Sequence, residues 1–314
     1  MTLNLSKFMR LFIFTKIICI CFFSLYLASA EETRLAYSDL ISNEFEELLY
    51  GDNVSLEKNV NADIANLSVS KSGTLPIIED FLSNRLDICI VASPEGIDLP
   101  LLEDDNIIQI PFAYKSAVVV VNSENPISEI TMDQLATIFG TSGATSNLLT
   151  WRDFGMSSFS TSSIKAYAVK EDHGISSDLF RHGVLGEKVF NPSVTVDIQE
   201  NVQRLITQDK AAIGVFPDIP QNPNLKALFV AQDAESIAYG PSADNIYYSD
   251  YPVRLPFYIV YNERDSERLY PVIKTLLSDS IADSLANDDF FSLPKIIREK
   301  LIIDLQLYLQ QNED

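Results

Sequence analysis

The chain has 314 residues, 46% of them hydrophobic and 21% charged, with a formal net charge of -21 at pH 7. That length is ample for one large or two modest hydrophobic cores, and the strongly negative field excludes nucleic acid and anionic lipid surfaces as partners. Of the three cysteines, Cys19 and Cys21 lie in the first thirty residues, so the rest of the chain keeps only Cys89 and cannot be a disulfide-stapled scaffold.

The N-terminal stretch reads as a leader. Lys7, Arg10 and Lys16 give it a positive start, Ile17 to Leu27 is almost wholly apolar, and Ala28-Ser29-Ala30 supplies the small residues that cleavage needs. Residues 1–30 are therefore expected to be a signal peptide that carries the protein to the periplasm and is cut before Glu31. An uncleaved anchor is the alternative, for which the apolar run is short of the roughly 20 residues a span requires. Neither leader cysteine follows the small residue of a lipoprotein signal.

Beyond the leader, strands alternate with helices. "RLAYSDL" begins a strand, and "ISNEFEELLYG" has helical spacing through Phe45, Leu48 and Leu49, with Gly51 as a stop. "VSLEKNV" reads as the next strand and "SKSGT" as a turn. "LPIIEDFLSNR" is helical through Ile77, Ile78, Phe81 and Leu82, and "LDICIVAS" has the length and composition of a buried strand. Cys89, inside it, reads as a small core hydrophobe. Such a βαβαβ unit implies parallel strands with right-handed crossovers.

"IIQIPFAYKSAVVVVN" carries two apolar runs back to back, the second of which, Ala117 to Val121, reads as a strand crossing between lobes. "TMDQLATIFG" is a helix capped by Thr131 and stopped by Gly140. A second α/β unit follows in "SIKAYAVK", "SSDLFRHGVLG", "ENVQRLITQD" and "AAIGVFP". The Pro- and Asn-rich passage from "PDIPQNPNLK" to "YGPSADN" breaks the rhythm. "PFYIVYN" returns as a strand, and two terminal helices are expected around "RLYPVIKTLLSDSIADSLA" and "LPKIIREKLIIDLQLYLQ". The expected fold class is α/β with two lobes, each a mostly parallel sheet flanked by helices. Lobe 1 takes 31–115 and the return 241–314, lobe 2 takes 116–240, and a ligand would lie at the carboxyl ends of strands facing the cleft.

Several stretches together carry a family likeness. Asn125-Pro126, Ile130-Thr131, Gln134-Leu135, Ile138-Phe139 and Asn147 to Trp151, with "LSNRLDICIVAS", "AAIGVFP" and "YPVRLPFYIVYN", follow one another in a familiar order. In these the chain resembles the periplasmic phosphate-binding proteins of ABC transporters. The resemblance implies a type 2 periplasmic-binding-protein fold and a binding rather than an enzymatic role. It further implies a monomer without a cofactor, inorganic phosphate or another small oxyanion as ligand, and a membrane ABC permease as partner.

In that family the turn after a second-lobe strand reads Arg, any residue, an acid, then Gly-Ser-Gly-Thr, and opens a helix whose amides hold the anion. The matching stretch here is "VKEDHGISSDLF". Lys170 stands for the Arg, Asp172 for the acid, Gly174 for the Ser and Ser176 for the Thr, with His173 and Ile175 on the two glycines. A frame shifted by one puts Gly174 on the first glycine and Ser177 on the Thr. Lys170 keeps the charge without the planar fork, and the branched Cβ of Ile175 is expected to hinder close approach of backbone to an anion. In the first lobe, Ser38, Ser72, Thr74 and Ser93 fall near the family's ligand turns, and Tyr114-Lys115 replaces its usual Tyr-Asp. A second reading stays open, a retained fold that serves as a sensing or interaction module without phosphate. A hydrolytic set from Asp172, His173, Ser176 and His182 is disfavoured by spacing, since Ser176 is expected to be a helix N-cap. Glu171 to His173 lack further ligands at metal-site spacing.

Overall fold

The computed structural model describes residues 32–50, 66–94, 106–141, 149–155, 163–170, 175–186 and 188–312. The leader and the strand expected at "VSLEKNV" lie outside these residues.

The chain opens with β1 (Thr33–Ser38), α1 (Glu44–Tyr50), β2 (Leu67–Ser72), α2 (Thr74–Leu82) and β3 (Ile88–Ala92). β1 pairs in parallel with β2, Ser38 opposite Ser72, and with β3 on its other side. β2 therefore takes in the Ser70 to Ser72 stretch expected to be a turn. The reason is its place at the sheet edge, where a strand has one neighbour and buries little, here Leu67 alone. β3, by contrast, is buried at every residue. Burial also pushes the Cys89 thiol pKa well up, as befits a core residue. α2 buries Ile77, Ile78 and Phe81, while Leu82, at its last position, stays exposed.

Next come β4 (Ile107–Ser116), β5 (Val118–Asn122), β6 (Glu129–Thr131) and α3 (Met132–Phe139). Thr131 and Gln134 form the reciprocal capping box of α3. After a 3-10 turn at Trp151–Phe154 run β7 (Lys165–Val169), α4 (Ser176–Leu185), β8 (Thr195–Asp197), α5 (Gln199–Gln208) and β9 (Ala212–Phe216). Trp151 is fully buried and its indole N–H donates to the Ala211 carbonyl at 3.0 Å. The irregular passage still yields short β10 (Leu225–Ala227), β11 (Phe229–Ala231) and α6 (Ala243–Tyr247). The chain ends with β12 (Arg254–Asn262), α7 (Ser266–Leu276), α8 (Asp279–Asn287), β13 (Phe291–Ser292) and α9 (Lys295–Asn312). The first of the two expected terminal helices is thus a pair, because the Ser278 hydroxyl accepts the Ile281 N–H and starts a new helix.

The strands form two main sheets, ordered β13-β4-β12-β3-β1-β2 and β10-β5-β9-β7-β8, beside a small β11-β6 pair. In the first sheet β12 and β13 run against the other strands, and in the second β5 does. β4 and β5 are consecutive yet belong to different sheets, so the chain crosses at Ala117. The return crossing is tied to it there. The Ser116 hydroxyl and the Ala117 N–H both donate to the Val253 carbonyl, at 2.7 and 3.2 Å, and the Tyr251 hydroxyl donates to the Ala117 carbonyl at 3.0 Å.

Candidate functional site

Parallel strands place their carboxyl ends along one sheet edge, and the turns leaving them line whatever faces that edge. In the first sheet the adjacent strands β2, β1 and β3 end at Ser72, Ser38 and Ala92, with Ser93 one residue further. Ser38 is fully buried, and its hydroxyl oxygen accepts the Leu40 N–H at 3.3 Å, which leaves its hydrogen for another acceptor. The Asp39 N–H donates to the Ser72 carbonyl at 2.8 Å and joins the two turns. Thr74 is the first residue of α2, behind Gly73, whose position has no side-chain cap. The Ser93 N–H donates to the Pro256 carbonyl at 2.9 Å, which holds the end of β3 against β12. Ser72, Thr74 and Ser93 are all half-buried.

In the second sheet the corresponding edge is the end of β7. The Lys170 N–H donates to the Asp197 carbonyl at 2.7 Å and fixes the backbone, while the residue itself is exposed. Asp172 and Gly174 lie outside the described residues, as does His173. α4 begins at Ser176, which is 2% exposed. Ile175 holds the cap position and no cap side chain bonds the first amides, so the expectation of a Ser176 N-cap is corrected: Ser176 is already helical. The Ser177 hydroxyl donates to the Val169 carbonyl at 2.8 Å and pins the helix start to the strand it follows. Its proton is thereby committed, which leaves the oxygen as an acceptor. The side chain of Ile175 packs against the main core.

The structure thus brings Ser38, Ser72, Thr74 and Ser93 to the edge of one sheet and Lys170, Ser176 and Ser177 to the edge of the other. His182 stands in the last turn of α4 and borders a cavity of about 220 Å³ with Pro94, Leu179 and Arg254. A larger cavity of about 540 Å³, bordered by Asn84, Asn106, Asn262 and Arg264, lies where β12 ends, at the opposite edge of the first sheet.

A set of charges lies at these same edges, of which the sequence drew notice only to Lys115, as a departure from the family's usual Asp. Lys115, at the end of β4, is 5% exposed. Its ammonium donates to the Asp288 carbonyl at 2.8 Å and sits 4.3 Å from the Phe290 ring centroid. The Asp288 carboxylate accepts the Ser42 N–H at 2.9 Å. Asp289 has a left-handed φ of 57°. Burial raises its pKa, Lys115 pulls against this, and Asp288 adds to the rise. Asp218 follows β9, the neighbour of β7. Its pKa is raised by burial first and by Asp289 second. A lysine closing an otherwise apolar strand was the one visible signal. The electrostatic influence of Asp289 on Asp218 joins residues far apart in sequence and had none.

A cation and helix-start amides at one sheet edge, and hydroxyls and strand-end turns at the edge of another, are kinds of group that can hold a small anion. Comparison with known proteins gives the same direction. The chain matches the PBP superfamily domain over residues 55–279. Protein SphX of Synechococcus elongatus is 27% identical over 253 residues, covering 78% of this chain and 70% of that protein. The phosphate-binding protein PstS of Pseudomonas aeruginosa is 22% identical over 207 residues, 63% of this chain and 64% of the relative, so the chain spans just under two thirds of PstS. Among solved structures, a possible phosphate-binding protein from Planctomyces limnophilus shares the fold, with a TM-score of 0.58 at 17% identity over 88% of this chain and 98% of that one. With the domain match spanning well over half of its length, the chain belongs to the PBP superfamily.

Proposed function

We propose that the protein is an extracytoplasmic solute-binding protein that captures a small oxyanion, inorganic phosphate first among them, for an ABC-type permease. The observation that carries this reading is the start of α4. It is the next element after β7, its Ser177 hydroxyl is bonded to Val169 and the Lys170 N–H to Asp197, and no side chain caps its first amides. Its first amides and the partial positive charge of the helix lie at a strand end, where the Lys170 ammonium would add a full charge. Ser38, Ser72, Thr74 and Ser93 would complete the shell from the other lobe, with Asp172 and Gly174 in the turn before the helix. The lobes, taken as 31–115 with 241–314 and as 116–240, would close on the crossings tied at Val253.

The relatives support the ligand class, since PstS of Pseudomonas aeruginosa is itself a phosphate-binding protein. The leader ending at Ala30 supports export to the periplasm. The role is capture and delivery by a monomer, with no chemical step and no cofactor.

Thermal unfolding of the mature protein across phosphate, sulfate and phosphonate concentrations tests the reading. A ligand that binds only the folded state at about 100 times its Kd stabilises it by about 2.7 kcal/mol. Phosphate should raise the midpoint, and an unchanged midpoint with every oxyanion would overturn the reading.

A further inference from the structure

The cavity of about 540 Å³ at the far edge of the first sheet is walled by four separate parts of the chain. Phe81 and Leu82 come from the end of α2, and Asn84, just beyond it, takes a left-handed φ of 55°. Asn106 and Ile107 lie at the start of β4, Asn262 closes β12 and leads into a 3-10 turn at Glu263–Asp265, and Tyr308 comes from α9. Hydrogen bonds tie these walls together. Arg264 Nη2 donates to Asn84 Oδ1 at 3.2 Å, the Tyr308 hydroxyl to Glu263 Oε1 at 2.8 Å, and the Glu263 N–H to the Asn106 carbonyl at 2.8 Å. The cavity is therefore preformed, and its volume is in the range of small-molecule sites.

Its polar groups are both donors and acceptors. Asn262 precedes the 3-10 turn, a place where an asparagine side chain commonly caps the first amides, yet it makes no cap bond. Its half-buried carboxamide makes no other hydrogen bond among the described residues, so two donors and an acceptor are left at the cavity. Asn84 is held by its oxygen and keeps its NH2 to donate, and the Glu263 carboxylate keeps its second oxygen to accept. Glu263 and Arg264 cancel in charge, which makes the lining neutral in a chain of net charge -21. An anion offers acceptors and an ammonium offers donors, whereas a hydroxyl group does both and matches such a mixed, uncharged set. Phe81 and Ile107 add apolar lining, and Tyr308, 38% exposed, adds an aromatic ring against which the C–H face of a sugar can pack.

We propose that this cavity is a second binding site, for a neutral sugar residue whose hydroxyls are held by Asn262, Asn84 and Glu263. The occupant is a free sugar or the end of a longer glycan, since both present the same ring and hydroxyls. The inference does not rest on the anion-binding reading, because the two sites use opposite edges of the first sheet.

The test is NMR titration of the isotope-labelled mature protein with glucose, N-acetylglucosamine and maltoheptaose, read on the side-chain amides of Asn84 and Asn262, with trialanine as a peptide control. The expected result is a saturable shift of these amides with at least one of the sugars, and a roughly tenfold weaker affinity in Asn262→Ala, on the scale of one or two lost hydrogen bonds. Tighter binding of maltoheptaose than of glucose would mark a glycan end as the occupant, and equal binding a free sugar. The wild-type titration requires no variant to fold. No shift with any of the three sugars at millimolar concentration would overturn the proposal, and a shift with trialanine alone would replace the sugar by a peptide. Sugar binding at full strength in both Asn262→Ala and Asn84→Ala would overturn it too, by placing the sugar elsewhere.

Discussion

Lys170 follows the last residue of β7, and replacing it by alanine removes the cation proposed to serve the site. Its backbone N–H stays on the Asp197 carbonyl in the variant, because that bond involves no side-chain atom. The strand end and the helix start thus keep their places, and only the ammonium is lost. A hydrogen bond to a charged group contributes roughly 1.5 to 3 kcal/mol. Lys170 is exposed, so solvent screening puts it at the low end, about 1.5 kcal/mol, or about tenfold in Kd. Calorimetric titration with phosphate should show that loss, with an unfolding midpoint equal to wild type. Lys170→Arg should retain or improve affinity, since the guanidinium fork grips two oxygens at once. Unchanged affinity in the alanine variant would refute the role of Lys170, and an equal loss in the arginine variant would show that shape rather than charge is at stake.

Asp87 accepts the backbone N–H and the guanidinium of Arg34, at 2.8 to 3.1 Å, and a further bond from Arg268 at 3.1 Å. Burial pushes its pKa up, but the Arg34 hydrogen bonds and the Arg268 charge together hold it below the ordinary carboxylate value. The depressed pKa means stability that is present above the unfolded value and lost as pH falls through the folded one. Asp87→Asn should therefore cost about 2 kcal/mol at neutral pH and less in acid, read by urea unfolding at the two pH values. Thr131→Ala should cost about 1 kcal/mol, as loss of an N-cap does, measured in the same way. Ile175→Gly should destabilise by about 2 kcal/mol, through lost packing and added chain entropy, and an equally stable variant would show that Ile175 does not help anchor the start of α4.

Much of the fold was legible because burial on both faces of a strand leaves a plain mark. β3 and β9 are apolar and buried throughout, and β5 is buried throughout and apolar up to its closing Asn122. Thr131 before the apolar run marked the start of α3, and the structure adds Gln134 as its capping-box partner. β2 was not legible, because an edge strand needs few apolar residues and LSVSKS has two. The break between α7 and α8 turns on the single hydroxyl of Ser278, within a stretch whose apolar spacing continues. At the site, a strand, a turn and a helix in succession predicted where Lys170, Ser176 and Ser177 would sit. The bond each makes was not predictable. Ser177 commits its proton to Val169 and Ile175 turns to the core only because β7 and the core lie where the fold puts them. The influence of Asp289 on Asp218 depends on tertiary structure entirely.

The central claim is that these strand ends and the start of α4 hold a small oxyanion, and direct calorimetric titration of the mature wild-type protein with inorganic phosphate tests it. The account predicts saturable binding at one site per chain, weakened about tenfold by Lys170→Ala. No heat and no saturation with phosphate, sulfate or phosphonate, from a protein shown to be folded, would contradict it and leave a sensing or interaction module as the use of this fold.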